Sequence, residues 1–327
     1  MSLLEVKNLK VHFPVTRGIF KRDKRVVHAV DGVSFDINES ETLGLVGESG
    51  CGKTTTGRSI VKLLKATSGS IFFDGEDILP LKRKQLIHFR KKCQIVFQNP
   101  YSSLDPRMTI GSILSEPLKS LTSMSRRERT DRVAALLNEV NLSPKFLNRY
   151  PHEFSGGQRQ RINIARALSV SPKLIVADEP VSALDVSIQA QIINLLQDLQ
   201  AKFKMAYLFI AHDLSVVKTL SHRVAVMYLG KIVEIAPTKT LYAEPMHPYT
   251  KALMSAVPIP DPKKERLRKR MVVSGEIPSP IDLPSGCTFH PRCPFAKERC
   301  RAVVPILRKL PNGSHASCHF AEELMGK

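Results

Sequence analysis

The run LGLVGESGCGKT, residues 43–54, constrains the fold more than any other part of this sequence. It joins an apolar stretch to a glycine-rich loop, and a helical pattern follows from Lys53 to Leu64. The segment Gly47–Thr54 fits the spacing G-x-x-x-x-G-K-[ST], in which backbone N–H groups at a helix N-terminus surround phosphate groups. Because strand and helix stand in the order that this motif requires, a chance glycine turn is the poorer explanation. We therefore predict a P-loop.

A P-loop of this kind binds a nucleoside triphosphate with Mg²⁺. We expect Lys53 to reach the β- and γ-phosphates and the Thr54 hydroxyl to ligate the Mg²⁺ ion. The residues predicted to bind ATP in this loop are Gly47, Glu48, Ser49, Gly50, Cys51, Gly52, Lys53, Thr54 and Thr55.

An acidic pair ends the run KLIVADEP. A carboxylate at the carboxyl end of a buried parallel strand lies beside the nucleotide crevice of an α/β sheet. We expect Asp178 to hold Mg²⁺ or its water and Glu179 to polarise an attacking water molecule. Acidic pairs also end strands for reasons unrelated to catalysis, so this interpretation depends on the P-loop found earlier in the chain.

Apolar β-like runs alternate with helical patterns through the first 240 residues, which predicts an α/β fold with a largely parallel sheet. Strands are expected at Leu3–Phe13, Val30–Ile37, Thr42–Val46, Ser70–Gly75, Cys93–Gln98, Leu174–Ala177, Ala206–Ala211, Arg223–Tyr228 and Lys231–Ile235. Helices are expected near Ile110–Leu121, Arg126–Val140, Gln158–Val170 and Val186–Phe203. We predict a core of residues 1–98 and 158–236, a helical insert of residues 99–157, and an extension of residues 237–327.

A second glycine-rich loop, FSGGQ, precedes a predicted helix about a hundred residues after the first. The Ser155 hydroxyl and the amides of Gly156 and Gly157, with Gln158 following, can bind an anion at a helix N-terminus. A second phosphate site is redundant on one chain unless it serves another chain's nucleotide. Two chains facing head to tail, each closing this loop over the other's P-loop, meet that condition.

Taken together, these motifs resemble the nucleotide-binding subunit of ABC transporters. GESGCGKT resembles its Walker A motif, FSGGQ its signature, LIVADE its Walker B motif and SALD its D-loop. Gln98 in VFQNP resembles the Q-loop glutamine and His212 in IAHD the switch histidine. The resemblance covers roughly residues 1–240. It implies a RecA-like P-loop NTPase core with a β-subdomain and an inserted α-helical subdomain.

The resemblance also implies roles for individual residues. Gln98 would sense Mg²⁺ and the γ-phosphate, His212 would contact the γ-phosphate, and Asp185 would make contacts across the dimer. In this family an aromatic residue of the first sheet stacks on adenine. Phe13 is our candidate for that position, with Phe20 and ordinary core packing as alternatives.

The C-terminal residues carry a narrower resemblance. The runs HPYTKALMSAVP and GEIPSPIDLPSGCTFHPRCP are similar to the C-terminal region of oligopeptide and dipeptide permease ATPases, and RYPHEFSGGQRQRI is similar to the F-type subunit of the oligopeptide permease. This implies import of short peptides, with nickel or another small solute as the alternative cargo. It also implies a second, different ATPase subunit as heterodimer partner, two transmembrane permease subunits and, indirectly, an extracytoplasmic peptide-binding protein.

Four cysteines lie within a short proline-rich stretch of the extension, with the spacing C-x5-C-x6-C-x17-C. They are Cys287, Cys293, Cys300 and Cys318. Thiolate ligation suits a [4Fe–4S] cluster or Zn²⁺, although close C-x2-C pairs typical of zinc fingers are lacking. Some permease ATPases that this tail resembles carry a [4Fe–4S] cluster here, which favours the cluster over Zn²⁺ or plain thiols. His290, His315 and His319 are alternative ligands, and we expect a small Cys-rich C-terminal domain.

The formal net charge of +19 indicates an anionic neighbour. A DNA-repair or ribosome-associated ATPase with the same core is an alternative, but no long coiled-coil pattern or second nucleotide core is present in the sequence. We therefore expect no nucleic acid partner. Neither a secretory signal nor a membrane-spanning run is recognisable, so we expect a cytoplasmic chain. The resemblance to permease ATPases implies that it lies peripherally on the cytoplasmic face of the inner membrane. Basic runs at Lys82–Lys92 and Lys263–Arg270 would then face anionic lipid.

Overall fold

A computed structural model describes residues 2–15, 25–257, 271, 273 and 275–324. Phe20 and the basic run Lys263–Arg270 therefore lie outside the described residues. The chain forms two compact units. The first comprises residues 1–4, 36–42 and 72–211, and the second comprises residues 5–35, 43–71 and 212–327.

The described residues form the following regular elements. The strands are β1 (Ser2–Pro14), β2 (Val26–Asn38), β3 (Thr42–Val46), β4 (Ser68–Phe73), β5 (Glu76–Asp77), β6 (Cys93–Val96), β7 (Leu174–Asp178), β8 (Ala206–Ala211), β9 (Arg223–Tyr228), β10 (Lys231–Pro237), β11 (Arg308–Lys309) and β12 (His315–Ala316). The α-helices are α1 (Lys53–Ile60), α2 (Arg83–Lys92), α3 (Pro100–Ser103), α4 (Ile110–Leu121), α5 (Arg126–Glu139), α6 (Gly156–Leu168), α7 (Val186–Phe203), α8 (Leu214–Leu220), α9 (Thr238–Ala243), α10 (Pro248–Ala256) and α11 (Glu298–Ala302).

Parallel strands form the centre of the first unit. Strand β7 pairs with β6 on one side and with β8 on the other, and Leu174 is in register with Cys93 and with Ala206. Every residue of β7 and β8 is buried. Strands that are buried on both faces have continuous apolar sequences instead of alternating ones, which is why LIVAD and AYLFIA were readable as strands.

The helices between β6 and β7 begin at side chains that cap them. Ser125 and Glu128 form a capping box at the start of α5, in which each side chain binds the other residue's backbone N–H group. Thr109 caps α4, whose apolar face buries Ile113, Leu114 and Leu118. The predicted helix at Ile110–Leu121 is confirmed with those bounds, and the predicted helix at Arg126–Val140 ends one residue earlier.

In the second unit, the strand that leads into the P-loop pairs with β9 in parallel, with Val46 opposite Val226. Strand β10 pairs with β9 antiparallel, and β12 continues the sheet by pairing Ala316 with Glu234 of β10. From residue 275 onward the described residues form only short elements, of which α11, with five residues, is the longest. These residues nevertheless belong to the same compact unit as the P-loop.

Several predicted bounds differ from those in the structure. Helix α1 ends at Ile60 and not at Leu64, because the chain turns at Lys62, which has a left-handed φ of 55°. The basic run at Lys82–Lys92 forms helix α2, where Lys92 pairs with Asp74. In the part of the chain that the structure describes, no helix is both long and apolar enough to cross a membrane.

Candidate functional site

The P-loop connects β3 to α1 through backbone conformations that require glycine. Gly52 precedes α1 with φ 107°, and a Cβ atom there would lie 2.1 Å from the carbonyl oxygen of Ala29. At Gly47 a Cβ atom would lie 2.1 Å from the carbonyl oxygen of Met227. Real Cβ contacts are longer than 3.0 Å, so side chains at these positions would force the loop off the neighbouring strands.

Lys53 is held at this loop by the loop's own carbonyl groups. Its Nζ atom donates to the carbonyl oxygen of Gly47 at 2.8 Å and to that of Glu48 at 3.0 Å. The residue is only 4% exposed. A buried ammonium group needs such acceptors, and these keep its positive charge at the place where the sequence predicts the triphosphate.

The other predicted loop residues fall into an exposed and a buried group. Ser49 and Gly50 are exposed, whereas Thr54 and Thr55 are half-buried in the first turn of α1. Cys51 is buried, and its burial raises the pKa of the thiol above its usual value. The loop therefore presents backbone and hydroxyl groups outward while its thiol packs inward as a neutral group.

In the first unit the predicted catalytic residues Gln98 and Glu179 meet. Gln98 follows β6, Asp178 ends β7, and Glu179 comes next in the chain. The Nε2 atom of Gln98 donates to the Glu179 carboxylate at 2.8 Å. Parallel neighbouring strands bring their carboxyl ends to one edge, which explains why residues 81 positions apart come together.

Glu179 adopts a backbone conformation that is uncommon for a side chain of its kind. Its φ is 47°, in the left-handed region. The backbone N–H group of Glu179 donates to the carbonyl oxygen of Ile210 at 3.0 Å, and its own carbonyl oxygen accepts from Ser182 Oγ at 3.1 Å. These contacts hold the strained turn, and such strain is frequent at functional sites. Asp178, by contrast, is completely buried.

The signature residues form the N-terminus of α6. Ser155 Oγ accepts from the Gln158 N–H group at 3.3 Å, and Gln158 Oε1 accepts from the Ser155 N–H group at 3.0 Å. This capping box orients the start of the helix. Gly157 is buried, and a Cβ atom there would lie 2.6 Å from Ile188 Cγ2, whereas one at Gly156 would make only ordinary contacts.

Three further predicted residues are exposed. Asp185 precedes α7, and its carbonyl oxygen accepts from the Gln189 N–H group at 2.8 Å. His212 directly follows β8. Phe13, near the end of β1, is 39% exposed, so part of this residue is accessible to a ligand. Asp185 and Phe13 are thus accessible for the contacts predicted from the sequence, and so is His212.

The four clustered cysteines line one small cavity in the second unit. All six cysteines of the chain are thiols. The cavity has a volume of about 20 Å³ and is lined by Cys287, Cys293, Cys300 and Cys318 together with His247, Pro248, Phe289, His290, Phe295, His319, Phe320 and Leu324. Burial raises the pKa of Cys293 to about 12 and that of Cys318 to about 11. Of the alternative histidine ligands, His290 and His319 lie here, and His315 is an exposed residue of β12.

Another group of potential ligands was not recognised from the sequence. Among the described residues, His12, His28 and Asp31 form the group whose potential metal-binding atoms all lie within 4.8 Å of one another. Lys231 donates to Asp31 at 2.7 Å. Burial would raise the pKa of Asp31, but this hydrogen bond and the charge of Lys231 lower it below the usual value. The carboxylate is therefore already neutralised by lysine.

Two residues that contact the P-loop were also missed. The Tyr249 hydroxyl accepts from the Glu48 N–H group at 2.9 Å, and Arg292 pairs with the Glu48 carboxylate. They lie 201 and 244 residues from Glu48 in the chain, so no local sequence pattern could have linked them to the loop.

Comparison with known proteins identifies relatives along most of the chain. Residues 30–182 match the ABC transporter family, and residues 233–300 match the oligopeptide/dipeptide transporter C-terminal region. The chain is 52% identical over 320 residues to the oligopeptide transport ATP-binding protein AppF of Bacillus subtilis, covering 98% of this chain and 97% of that protein. It is 54% identical over 308 residues to OppF of Salmonella typhimurium, an oligopeptide transport ATP-binding protein, covering 93% of this chain and 92% of that protein.

A solved structure is similar to the nucleotide-binding part. It is a dimer of the ATP-binding cassette MJ0796 in a post-hydrolysis state with ADP and Pi, with 29% sequence identity and a TM-score of 0.63. The similarity covers 72% of this chain and 98% of that one. The predicted P-loop fold is thereby confirmed for the nucleotide-binding part of the chain.

Proposed function

Because the chain belongs to the ABC transporter family of ATPases, among relatives that are oligopeptide transport ATP-binding proteins, we propose that it hydrolyses ATP to drive import of oligopeptides or dipeptides. The observation that carries this proposal is the extent of the similarity. It spans 98% of the chain at 52% identity and includes the C-terminal region found in oligopeptide and dipeptide transporters. The cargo therefore follows from a part of the chain that lies outside the ATPase motifs.

The protein works with membrane permease subunits. We place it as a peripheral subunit on the cytoplasmic face of the inner membrane, where it pairs with a second, different ATPase subunit beneath two transmembrane permeases. An extracytoplasmic peptide-binding protein would deliver the cargo to the permeases. The net charge of +19 suits a position close to anionic lipid head groups.

At its own P-loop the chain would bind ATP with Mg²⁺. Thr54, Gln98 and Asp178 are proposed to bind the Mg²⁺ ion, and Phe13 to stack on adenine. Glu179 would polarise the attacking water, and His212 would contact the γ-phosphate. The 2.8 Å hydrogen bond between Gln98 and Glu179 supports this assignment, because it joins the proposed metal sensor to the proposed base. Catalysis would proceed by positioning and charge neutralisation, as in other phosphoryl transfers.

The signature loop would serve the partner subunit's nucleotide. Ser155 and the amides of Gly156 and Gly157, with Gln158, would close over the nucleotide that is bound at the opposite P-loop. Asp185 would contact the partner across the interface. The capping box at α6 supports this role, because it orients the helix N-terminus whose amides and dipole attract an anion.

We further propose that residues 237–327 form a Cys-rich extension whose four thiols bind a [4Fe–4S] cluster, with Zn²⁺ as the alternative. Their convergence on one cavity supports a shared ligand. A volume of about 20 Å³ has room for one water molecule, so the four thiols would have to move apart to hold a [4Fe–4S] cluster. The preference for the cluster over Zn²⁺ rests on the resemblance of this tail to permease ATPases.

Transport by the assembled complex tests the proposed function. The chain would be reconstituted in proteoliposomes with its permeases, partner ATPase and binding protein. ATP-dependent uptake of labelled peptides is the expected result, and uptake of Ni²⁺ without peptide would contradict the proposed cargo.

Substitution of the proposed base tests the ATPase assignment. Glu179→Gln should retain ATP binding and lower ATP turnover by about 10²-fold or more, the usual range for loss of a general base. The control is Glu139→Gln, which removes a carboxylate paired with Lys202 in the same unit. Unchanged turnover in Glu179→Gln within the complex would contradict the role of Glu179.

The metal proposal has its own test. Protein purified without oxygen should contain iron and absorb broadly in the visible blue, and replacing Cys287 and Cys293 together by serine should remove both signals. Cys93→Ser is the control, since Cys93 is buried in β6 among apolar residues. Zinc without iron would support Zn²⁺ as the alternative ligand. Protein that contains neither metal would contradict the proposal and would mean that the four cysteines are plain thiols.

A further inference from the structure

We propose that Arg292 is a positioning residue for the P-loop: its guanidinium group fixes Glu48, and through Glu48 it holds the loop segment that retains Lys53. The inference rests on the proposed binding of ATP at this loop. It does not depend on the peptide cargo or on a metal at the cysteines.

The contact between Arg292 and Glu48 is bidentate. Arg292 Nη1 lies 2.9 Å from Glu48 Oε2, and Nη2 lies 3.2 Å from Glu48 Oε1. The side chain of Arg292 is only 9% exposed and that of Glu48 is 27% exposed. A guanidinium group that binds both oxygens of a carboxylate fixes its orientation as well as its distance. The pair is thus better ordered than an exposed ion pair, which contributes little.

The backbone of Arg292 is anchored next to a buried aromatic cluster. It follows Phe289 by three residues, in a 3₁₀ turn of residues 290–292. Phe289 packs against Tyr228 and Tyr249, with ring centroids 5.3 Å and 5.4 Å away. All three rings are 1% exposed. Because a close-packed aromatic cluster moves little, it gives Arg292 a rigid support.

The same cluster also contacts the backbone of Glu48. The Tyr249 hydroxyl accepts from the Glu48 N–H group at 2.9 Å. Glu48 is therefore bound at its amide by Tyr249 and at its carboxylate by Arg292. Two independent contacts from the C-terminal part of the chain fix one residue of the loop.

Glu48 passes this restraint to the lysine. Its carbonyl oxygen accepts from Lys53 Nζ at 3.0 Å and from the Cys51 N–H group at 3.3 Å. A rotation of the peptide at Glu48 would break both contacts. Because Lys53 is expected to contact the β- and γ-phosphates, displacement of its ammonium group should weaken ATP binding even though Arg292 need not touch the nucleotide.

The test compares Arg292→Ala and Arg292→Lys in the full chain within its complex. ATP affinity is measured with a fluorescent non-hydrolysable analogue, and KM and kcat are measured for ATP hydrolysis. Arg292→Ala should raise Kd and KM by about tenfold, within the range of coupling between contacting residues, and change kcat by less than about threefold. Arg292→Lys, which keeps the charge but not the bidentate geometry, should fall between wild type and alanine.

Lys297→Ala is the matched control, because it removes another cation of the same segment, paired with Glu323 on the surface. It should leave Kd and KM unchanged. Glu48→Gln removes the charge from the other partner and keeps its shape. In the double variant Arg292→Ala/Glu48→Gln, Kd should be raised no more than in the worse single variant, because both changes break one interaction.

The outcomes separate the inference from the proposed function. A lower Tm with unchanged Kd and KM in Arg292→Ala would reduce the ion pair to a structural role and overturn the inference, as would simple additivity in the double variant. If Arg292→Ala does not fold, Arg292→Lys and Glu48→Gln carry the same comparison. Normal ATP binding without peptide transport would overturn only the cargo, whereas a wild-type complex that binds no ATP would overturn both proposals.

Discussion

Two glycine-rich loops in this chain both lead into a helix N-terminus, yet they are held in different ways. The P-loop at Gly47–Thr54 is fixed by residues far away in the sequence: Ala29 and Met227 pack against its glycines, and Tyr249 and Arg292 bind Glu48. The signature loop at Ser155–Gln158 is fixed by its own capping box and by the packing of the buried Gly157 against Ile188.

The difference is consistent with the role that we propose for each loop. A loop that surrounds phosphates with backbone N–H groups needs several consecutive residues in unusual conformations, and these persist only when the surroundings enforce them. A helix N-terminus needs little beyond a cap, because its free amides and the helix dipole by themselves favour an anion. The P-loop therefore depends on several long-range contacts, whereas the signature loop combines a local cap with the packing of one glycine against Ile188.

The largest expected effect is at Gly52. Replacing it by alanine should make the P-loop unable to close, because the new Cβ would meet the Ala29 carbonyl oxygen at 2.1 Å. We expect a loss of about 3 kcal/mol or more in the free energy of unfolding, from backbone strain and overpacking together, with loss of ATP binding. Chemical denaturation and ATP titration provide the measurements.

Gly50→Ala separates the clash from the backbone strain. Gly50 has a φ of 79°, but nothing lies within 4 Å of the position its Cβ would take. Its replacement should therefore cost only about 1–2 kcal/mol. Equal losses at the two positions would mean that packing against Ala29 does not hold the loop.

An intermediate effect is expected at Ser155. Ser155→Ala removes a helix cap and should lower the free energy of unfolding by about 1 kcal/mol. Ser125→Ala removes the corresponding cap of α5, also from a capping box, and should cost about the same. Only Ser155→Ala should abolish ATPase activity in the assembled complex, since that serine is proposed to bind the partner's nucleotide. Equal activity in the two variants would leave Ser155 with a capping role alone.

The smallest expected effect is the pH dependence of stability that comes from Asp31, close to the P-loop. The turn after β9 donates the Gly230 N–H group to the Cys51 carbonyl oxygen at 3.0 Å, and Asp31 pairs there with Lys231. Because the pKa of Asp31 is lowered in the folded protein, its contribution to stability is present above the ordinary carboxyl pKa and is lost as pH falls below about 4.

Asp31→Asn should therefore lower the free energy of unfolding by about 1 kcal/mol or less at pH 7. The difference between the variant and the wild type should shrink as the pH falls below 4. A difference that stays constant down to pH 2 would show that the charge of Asp31 does not stabilise this turn. Denaturant titrations at several pH values measure it.

The sequence predicted many elements because their patterns are local. Helix α7 at Val186–Phe203 and strand β8 at Ala206–Ala211 have the predicted bounds. A continuous apolar run and a helical periodicity are local signals that do not depend on which other elements pack against them. The end of α1 was wrong by four residues, because it is set by the left-handed turn at Lys62. A lysine does not predict a left-handed turn, as a glycine or an asparagine at that position would.

The order of motifs also predicted that Gln98 and Glu179 would serve one site, and the structure joins them by a hydrogen bond. Strand pairing makes this possible, because the end of each parallel strand lies beside the end of its neighbour. The convergence of the four cysteines on one cavity agrees with a different signal, their spacing within a short segment of the sequence. What those thiols bind stays a prediction.

By itself, the sequence determined which glycine-rich loops lead into a helix N-terminus, which strand ends carry carboxylates and which helices begin at serine or threonine caps. These features depend on backbone conformations and side-chain types within a few residues of one another. Only the tertiary structure decided that Arg292 and Tyr249 fix Glu48, because a contact between residues more than 200 positions apart depends on how the whole unit packs. Local chemistry thus defines the phosphate loop, and long-range packing holds it in place.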